Sequence, residues 1–180
     1  KTLYLFQENS VKELLERNQR REGPIFEGDE SLLWGYGNFQ LFELEPVSLS
    51  RLINENWAKK GLNTTKITLK AFKTLQKAYL HYTEMFKKDE TTIYIEPNKN
   101  SSSKLFASYA LMILAMNGSH ALRPHNRKYY FNSFLQDFEP IYYDGGLDLQ
   151  NPIRSHTFSN ELDIISIFKD TGLANLQLKS

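Results

Sequence analysis

Hydrophobic residues recur at three- and four-residue steps in the middle of the chain, and this period predicts a long amphipathic helix that begins near Thr68. Its apolar face is formed by Phe72, Leu75, Tyr79, Tyr82 and Phe86. The lysines of the same segment fall outside this register, so we interpret the aromatic face as core rather than as a ligand platform. Residues 104–117 are apolar nearly all round, which predicts a second helix in the centre of the domain, with Gly118 as its C′ residue.

Shorter elements are predicted on the amino-terminal side of these helices. Apolar and alternating runs predict strands at residues 3–6 and 38–47, and a capping box that begins at Ser10 predicts a helix over residues 11–18. Residues 27–37 are rich in glycine and acidic side chains, and we interpret them as an irregular surface excursion. A serine at position 48 or 50 is expected to cap a short helix over residues 51–60.

A β-hairpin is predicted near the carboxyl-terminal end of the polar loop that follows the second helix. Two strand-like runs, residues 128–132 and 138–143, flank a short polar segment that favours a turn. Asp144, Gly145 and Gly146 follow the second run directly. A further strand is predicted at residues 92–95 and a last helix at residues 160–170. These elements indicate an α+β fold in one domain that spans residues 1–180.

The composition is that of an ordinary soluble globular domain. Of 180 residues, 41% are hydrophobic and 24% are charged, and 22 basic side chains nearly cancel 21 acidic ones. Net charge therefore gives no reason to expect nucleic acid or an anionic membrane as a partner. The absence of cysteine excludes disulfides and thiolate metal sites, and no apolar run approaches the ~20 residues of a membrane span. The chain begins with Lys1 rather than Met and enters a strand-like run at once, so we expect it to be a piece of a longer protein.

Most of the groups able to do chemistry lie between the second helix and the hairpin. Asn126 and Asp144 offer the hard oxygen ligands that Mg²⁺ prefers, and Arg127 offers a phosphate contact. His120 and His125 are able to accept or transfer a proton near neutral pH. From residue types alone, other interpretations stay open. An Asp-Gly-Gly sequence is a common turn, the histidines are equally suited to binding Zn²⁺, and Asn126 is equally suited to bonding its own loop.

Two blocks of sequence resemble a known family. The segment NGSHALRPHNRKYYFNSFLQDFEPIYYDG is similar to the core motif of the spore-coat CotH kinase family, in a branch that reads Gly-x-His-x-Leu-x-x-His-Asn. The upstream segments LYLFQE and ELLERNQRREGPIFEGDES resemble the strand, helix and glycine-proline segment of the same branch. The resemblance spans about residues 2–148 and is weaker between the two blocks.

The resemblance implies a protein-kinase-like fold, mostly the helical lobe, that transfers phosphate from ATP to a protein substrate with Mg²⁺ or Mn²⁺. A hinge strand, a helix and an irregular segment would occupy residues 1–62, and the helical lobe with its active-site loop residues 63–180. The residues implied to act are Phe6, Gln7 and Glu8 at the nucleotide, Asn126 and Asp144 at the metal, and His120, His125 and Arg127 as catalytic groups. The same resemblance points to the cell surface, envelope or spore coat.

Two departures from the family pattern open an alternative. The family carries an Asp five residues before the metal-binding Asn, where this chain has Ala121. The glycine-rich loop and ATP-anchoring Lys of the family would lie upstream of the hinge strand, so activity is expected to need a preceding kinase segment. The alternative is a pseudokinase, a nucleotide-binding envelope or coat assembly module without efficient transfer. A histidine-based hydrolase with a transition metal is the third hypothesis.

Overall fold

The computed structural model describes residues 12–31, 49–87, 95, 97 and 103–149, which form an α+β fold. The first elements are helix α1 (Lys12–Arg17), strands β1 (Ile25–Gly28) and β2 (Ser50–Leu52), and helix α2 (Glu55–Ala58). Helices α3 (Leu62–Lys87) and α4 (Ser103–Ala115) follow. Two 3₁₀ turns, Ser119–Leu122 and Pro124–Asn126, then lead into strands β3 (Lys128–Asn132) and β4 (Asp137–Ile141). Within the described ranges, no helix is both long and apolar enough to cross a membrane.

The strands form one antiparallel sheet in the order β2-β1-β3-β4. In β1, Phe26 lies opposite Leu52 on one side and opposite Tyr129 on the other. Tyr129 in turn faces Pro140 of β4, a strand at the end of the sheet where a missing N–H is tolerated. Strand β1 precedes both long helices in the chain. It nevertheless pairs with β3, the strand that follows the polar loop.

Alternation along the central strands divides the apolar residues between the two faces of the sheet. Ile25 and Tyr130 pack with Leu15 of α1 on one face. The other face joins α3 and α4 in the main core, whose buried members include Phe26, Leu75, Tyr79, Phe106, Ile113, Tyr129, Phe131 and Phe138. The aromatic face of α3 is thus core, as its period predicted, although the Phe86 side chain lies outside the described part of the chain.

The end of α4 is fixed by a Schellman motif, which mounts the polar loop on the most apolar helix. The Gly118 N–H donates to the Ile113 carbonyl at 2.8 Å, and the Asn117 N–H donates to the Leu114 carbonyl at 3.0 Å. Asn117 has a φ of 55°, so it is the left-handed C′ residue, and Gly118 follows it as C″. The prediction that Gly118 is C′ is therefore wrong by one residue. A Cβ at Gly118 would lie 2.6 Å from Cδ2 of the Leu147 side chain and 3.2 Å from the Ile113 carbonyl oxygen, so a side chain here would have to displace Leu147.

The predicted helices α3, α4 and α1 and the hairpin are confirmed, with differences at their ends. Helix α3 begins at Leu62 rather than near Thr68. Residues 27 and 28 were expected in an irregular excursion, but they belong to the central strand β1. The predicted helix over residues 51–60 is wrong at its start, because residues 50–52 pair with β1 and only Glu55–Ala58 is helical. Both missed strands owe their conformation to partners distant in sequence, which local preference does not report.

Several predictions fall on residues outside the described ranges. These are the strands at residues 3–6 and 38–47, most of the strand at residues 92–95, the last helix at residues 160–170, and the nucleotide-site residues Phe6, Gln7 and Glu8. The division of the chain at residue 62 stays a prediction.

Candidate functional site

The polar loop between α4 and β3 is built from its two 3₁₀ turns. The Ala121 N–H donates to the Gly118 carbonyl at 3.0 Å, and the Asn126 N–H donates to the Arg123 carbonyl at 2.9 Å. Pro124 opens the second turn, where its fixed φ suits the conformation and its missing N–H costs no bond. Local bonds therefore hold the loop in a defined shape.

Contacts from distant elements fix the loop on two further sides. The Tyr79 hydroxyl of α3 donates to the Pro124 carbonyl at 2.9 Å within the core. On the sheet side, the Gly28 N–H donates to the Arg127 carbonyl at 3.0 Å. A Cβ at Gly28 would lie 2.1 Å from the Pro124 oxygen and 2.5 Å from His125 Cα, so only glycine allows β1 to approach this closely. The loop is accordingly held by both the long helix and the central strand.

His120 connects the two residues that were predicted to bind metal. Its backbone carbonyl accepts a hydrogen bond from Asn126 Nδ2 at 3.1 Å. Its ring Nε2 lies 3.4 Å from Asp144 Oδ2, with 46% of the His120 side chain and 57% of the Asp144 side chain exposed. Since an amide group is planar, the bond from Nδ2 directs Asn126 Oδ1 away from His120. The structure thus gathers Asn126, His120 and Asp144, which span 25 positions of the sequence.

His125 completes this group from its other side. Its ring packs edge-on against the His120 ring, with a centroid separation of 6.1 Å. The backbone at His125 is also the part of the loop against which Gly28 packs. Four of the five predicted metal and catalytic residues therefore lie in one cluster, which we call the histidine cluster: His120, His125, Asn126 and Asp144.

Asp144 has an unusual backbone conformation for a residue other than glycine. Its φ is 41°, in the left-handed region, which costs a side-chain-bearing residue of the L series about 1 kcal/mol or more. The adjacent Gly145 N–H donates to the Tyr142 hydroxyl at 3.2 Å, and a Cβ at Gly145 would lie 2.6 Å from that ring. This closed turn after β4 holds the Asp144 carboxylate towards the His120 ring.

Arg127, the fifth predicted residue, is buried rather than presented to a ligand. The residue is 6% exposed, and its Nε donates to the Leu122 carbonyl at 2.6 Å. A guanidinium that binds the backbone of its own loop from within the core stabilises the loop. The geometry therefore supports a positioning role for Arg127 and gives no support to a direct phosphate contact.

A second polar cluster, which the sequence did not indicate, lies beside Arg127 where β1 meets β3. Lys128 Nζ lies 3.2 Å from Glu27 Oε2 and 3.4 Å from the centroid of the Tyr143 ring. Arg51 Nε donates to the other oxygen of Glu27 at 2.8 Å. The only sequence signal was the lysine at the start of an otherwise apolar strand. Because Tyr143 immediately precedes Asp144, the buried Lys128 helps to place the turn that carries that carboxylate.

Burial raises the pKa of several tyrosine hydroxyls around the loop. It raises the pKa of Tyr129 to about 12, while the positive charge of Arg127 opposes the rise. It also raises the pKa of Tyr79 well above its ordinary value. The pKa of Tyr143 is raised first by burial and then by the negative charges of Glu27 and Asp144. These hydroxyls are consequently neutral at physiological pH, and that of Tyr79 donates a hydrogen bond to the Pro124 carbonyl.

The donor types of the histidine cluster fit a hard divalent cation. Within the described ranges, no group of three or more His, Asp or Glu side chains is arranged to hold a metal ion. A site made by one amide oxygen and one carboxylate does not need such a group, because Mg²⁺ keeps several waters and takes its other ligands from phosphates. Asn126 Oδ1 and the Asp144 oxygen not facing His120 are donors of these two types.

No protein-family model, curated protein or solved structure matches the chain. The structure shows an α+β fold, and the resemblance to CotH kinases stays a prediction from the two motif blocks of the sequence.

Proposed function

We propose that this chain is part of an atypical protein kinase of the CotH type, which transfers phosphate from ATP to a protein substrate with a divalent metal ion. The fold it would belong to is protein-kinase-like, with most of the helical lobe in this chain. The observation that carries the proposal is the contact of His120 with both Asn126 and Asp144. It joins an amide and a carboxylate that stand in kinase order, one on the loop and one after the hairpin.

Asn126 and Asp144 are the metal ligands in this proposal. Mg²⁺ or Mn²⁺, when bound, neutralises charge on the ATP phosphates. The buried amide of Asn126 is oriented by its bond to His120, and the carboxylate of Asp144 is oriented by its turn. Phe6, Gln7 and Glu8 would contact the nucleotide base, and a preceding kinase segment would supply the glycine-rich loop.

His120 takes the place of the missing acidic base in the proposed mechanism. Ala121, at the position of the family's Asp, is 1% exposed and packs in the main core. Its neighbour His120 is half exposed, and it has the Asp144 carboxylate beside its Nε2. A carboxylate beside an imidazole orients the ring, so in this proposal His120 is positioned to accept a proton from a substrate hydroxyl. His125 supports the His120 ring by packing.

The metal assignment is tested by measuring nucleotide affinity of the full-length protein with Mg²⁺ and with a chelator. Asp144→Asn is the best probe, because Asn tolerates the left-handed backbone and removes only the charge. The matched control is Glu16→Gln, another carboxylate with 57% side-chain exposure and a basic partner. We expect Asp144→Asn to weaken metal-dependent binding roughly tenfold or more and the control to leave it unchanged. Equal affinity in both variants would contradict the assignment.

A pseudokinase, acting as an envelope or coat assembly module, is the second candidate because the family's base position is buried here. Transfer of labelled phosphate from ATP separates the two functions. Transfer that is lost in Asn126→Ala and reduced in His120→Gln supports the kinase. Metal-dependent binding of nucleotide without any transfer supports the assembly module instead.

A further inference from the structure

The exposed side of α3 carries a row of basic side chains. Lys66, Lys70, Lys73 and Lys77 follow one another at steps of four, three and four residues, so they share one face of the helix. All four are exposed, and the row is about 17 Å long at 1.5 Å per residue. The face lies opposite the buried side formed by Ala71, Leu75 and Tyr79.

The positive charge of this row is not compensated within the helix. Glu84 is the single acidic residue of α3, and it lies beyond the last lysine of the row. Among the residues that the structure describes, none of the four ammonium groups lies within 4.0 Å of a carboxylate; Lys70 Nζ binds the neutral amide of Gln136. Lysines at four-residue spacing repel each other by a few tenths of a kcal/mol. A face that served only solubility would more often alternate the two signs of charge.

Exposed leucines run along the edge of the lysine row. Leu62, Leu69 and Leu80 belong to the same helix and are among the most exposed large apolar residues of the described part of the chain. At 100° per residue they lie on the flank next to Lys73 and Lys66. The exposed surface of α3 is therefore itself amphipathic, with one apolar and one basic edge.

The tip of the hairpin adds two more apolar side chains to this surface. The contact between Lys70 and Gln136 places the turn between β3 and β4 beside the lysine row. Phe134 and Leu135 in that turn are 82% and 63% exposed. A protruding aromatic residue beside lysines and leucines is the composition that binds a membrane interface, where cations meet lipid phosphates and apolar side chains enter the acyl boundary.

We propose that this surface, made by the lysine row, the three leucines and the hairpin tip, binds an anionic lipid membrane peripherally. The basic residues alone would suit any polyanion, including nucleic acid or an acidic protein. The adjoining Leu69, Phe134 and Leu135 favour the membrane over a purely polar polyanion, because these side chains gain free energy on binding when they leave water for an apolar layer. The inference is independent of the proposed kinase function.

The test is sedimentation of the full-length protein with two kinds of vesicle: equal parts phosphatidylglycerol and phosphatidylcholine, and phosphatidylcholine alone. We expect binding to the anionic vesicles only, weakened by salt. Each lysine near an anionic surface contributes about fivefold in affinity, so Lys66→Gln, Lys70→Gln, Lys73→Gln and Lys77→Gln combined should reduce binding by about six-hundredfold. The pair Phe134→Ser and Leu135→Ser should reduce it by about tenfold.

The matched control makes the same charge change elsewhere on the surface. It combines Lys12→Gln, Lys59→Gln, Lys60→Gln and Lys104→Gln, all at exposed lysines outside the proposed surface. Control binding close to that of the wild type supports the inference. An equal loss in both quadruple variants would overturn it, as would no binding to anionic vesicles. Binding to duplex DNA or polyglutamate as strong as to vesicles, and unchanged by the serine pair, would also overturn it.

Discussion

The loop between α4 and β3 has an inward half and an outward half, and the two are built differently. The inward half comprises Ala121, Leu122, Asn126 and Arg127, which are buried. Its polar atoms bond to the loop's own backbone, as Arg127 does to the Leu122 carbonyl. The outward half comprises His120, which faces Asp144 of the turn after β4; both side chains are about half exposed, and they lie 3.4 Å apart. Residues adjacent in sequence therefore divide between holding the loop and facing solvent.

This difference changes how the residues of the loop sequence are interpreted. His120, Ala121, Asn126 and Arg127 were all assigned from their positions in a family pattern, which does not distinguish scaffold from reactive group. Burial and bonding make that distinction. Arg127 belongs to the scaffold, His120 and Asp144 face outward, and Asn126 is buried while its oxygen points away from the His120 carbonyl.

The largest effect is expected from introducing, at the buried position 121 in the inward half, the Asp of the CotH family pattern. Ala121→Asp would bury a charge in the main core, so we expect a loss of about 4 kcal/mol or more of unfolding free energy and no gain in phosphate transfer. Ala115→Asp is the matched control at an exposed alanine, where a loss of about 1 kcal/mol or less is expected. Urea unfolding measures both. A stable Ala121→Asp protein with increased transfer would show that the inward half is open to substrate.

The next largest effect is expected at Arg127. Arg127→Met keeps much of the packed stem but leaves the Leu122 carbonyl without its donor in the core, which should cost about 3 kcal/mol. Arg21→Met, at an exposed arginine on the other side of β1, should change stability by about 0.5 kcal/mol or less. Thermal unfolding of the two variants compares them directly. Equal stability would mean that Arg127 is not part of the scaffold and would restore its candidacy as a phosphate contact.

Tyr129 provides a pH-dependent test of the same scaffold. Its folded-state pKa of about 12 lies above the ordinary value of 10.0, so folding favours the protonated hydroxyl. This stabilisation is complete below pH 10 and is lost as the pH rises towards 12. As the pH rises from about 9 to 12, the free energy of unfolding of Tyr129→Phe should therefore rise relative to that of the wild type by on the order of 2–3 kcal/mol. The same pair compared at pH 7 is the control, and parallel pH profiles would contradict the assigned burial.

The sequence predicted the elements that short-range patterns determine. It missed the strands that depend on pairing with residues far along the chain. The period of α3, the apolar α4 and the two runs of the hairpin each determine their own structure. Strands β1 and β2 depend on pairing with residues far along the chain, and β2 began with a serine that resembles a helix cap. At the site, the motif indicated residues that the structure brings close together, but the burial of Arg127 and Lys128 was not predictable, because charged side chains are usually exposed.

The smallest expected effect is at Asp144, which faces His120 of the outward half. Substitutions of Asp144 should change stability and nucleotide binding to different extents. Its φ of 41° suits glycine, so Asp144→Gly relieves strain while adding chain entropy in the unfolded state, and the two terms roughly cancel. Asp144→Ala keeps the strain and loses the polar side chain that tolerates it, so we expect it to be about 1 kcal/mol less stable than Asp144→Gly. Both variants should lose metal-dependent nucleotide binding equally. Urea unfolding and nucleotide titration on the same preparations measure the two properties, and binding that followed stability instead would show that Asp144 supports the turn rather than the ligand.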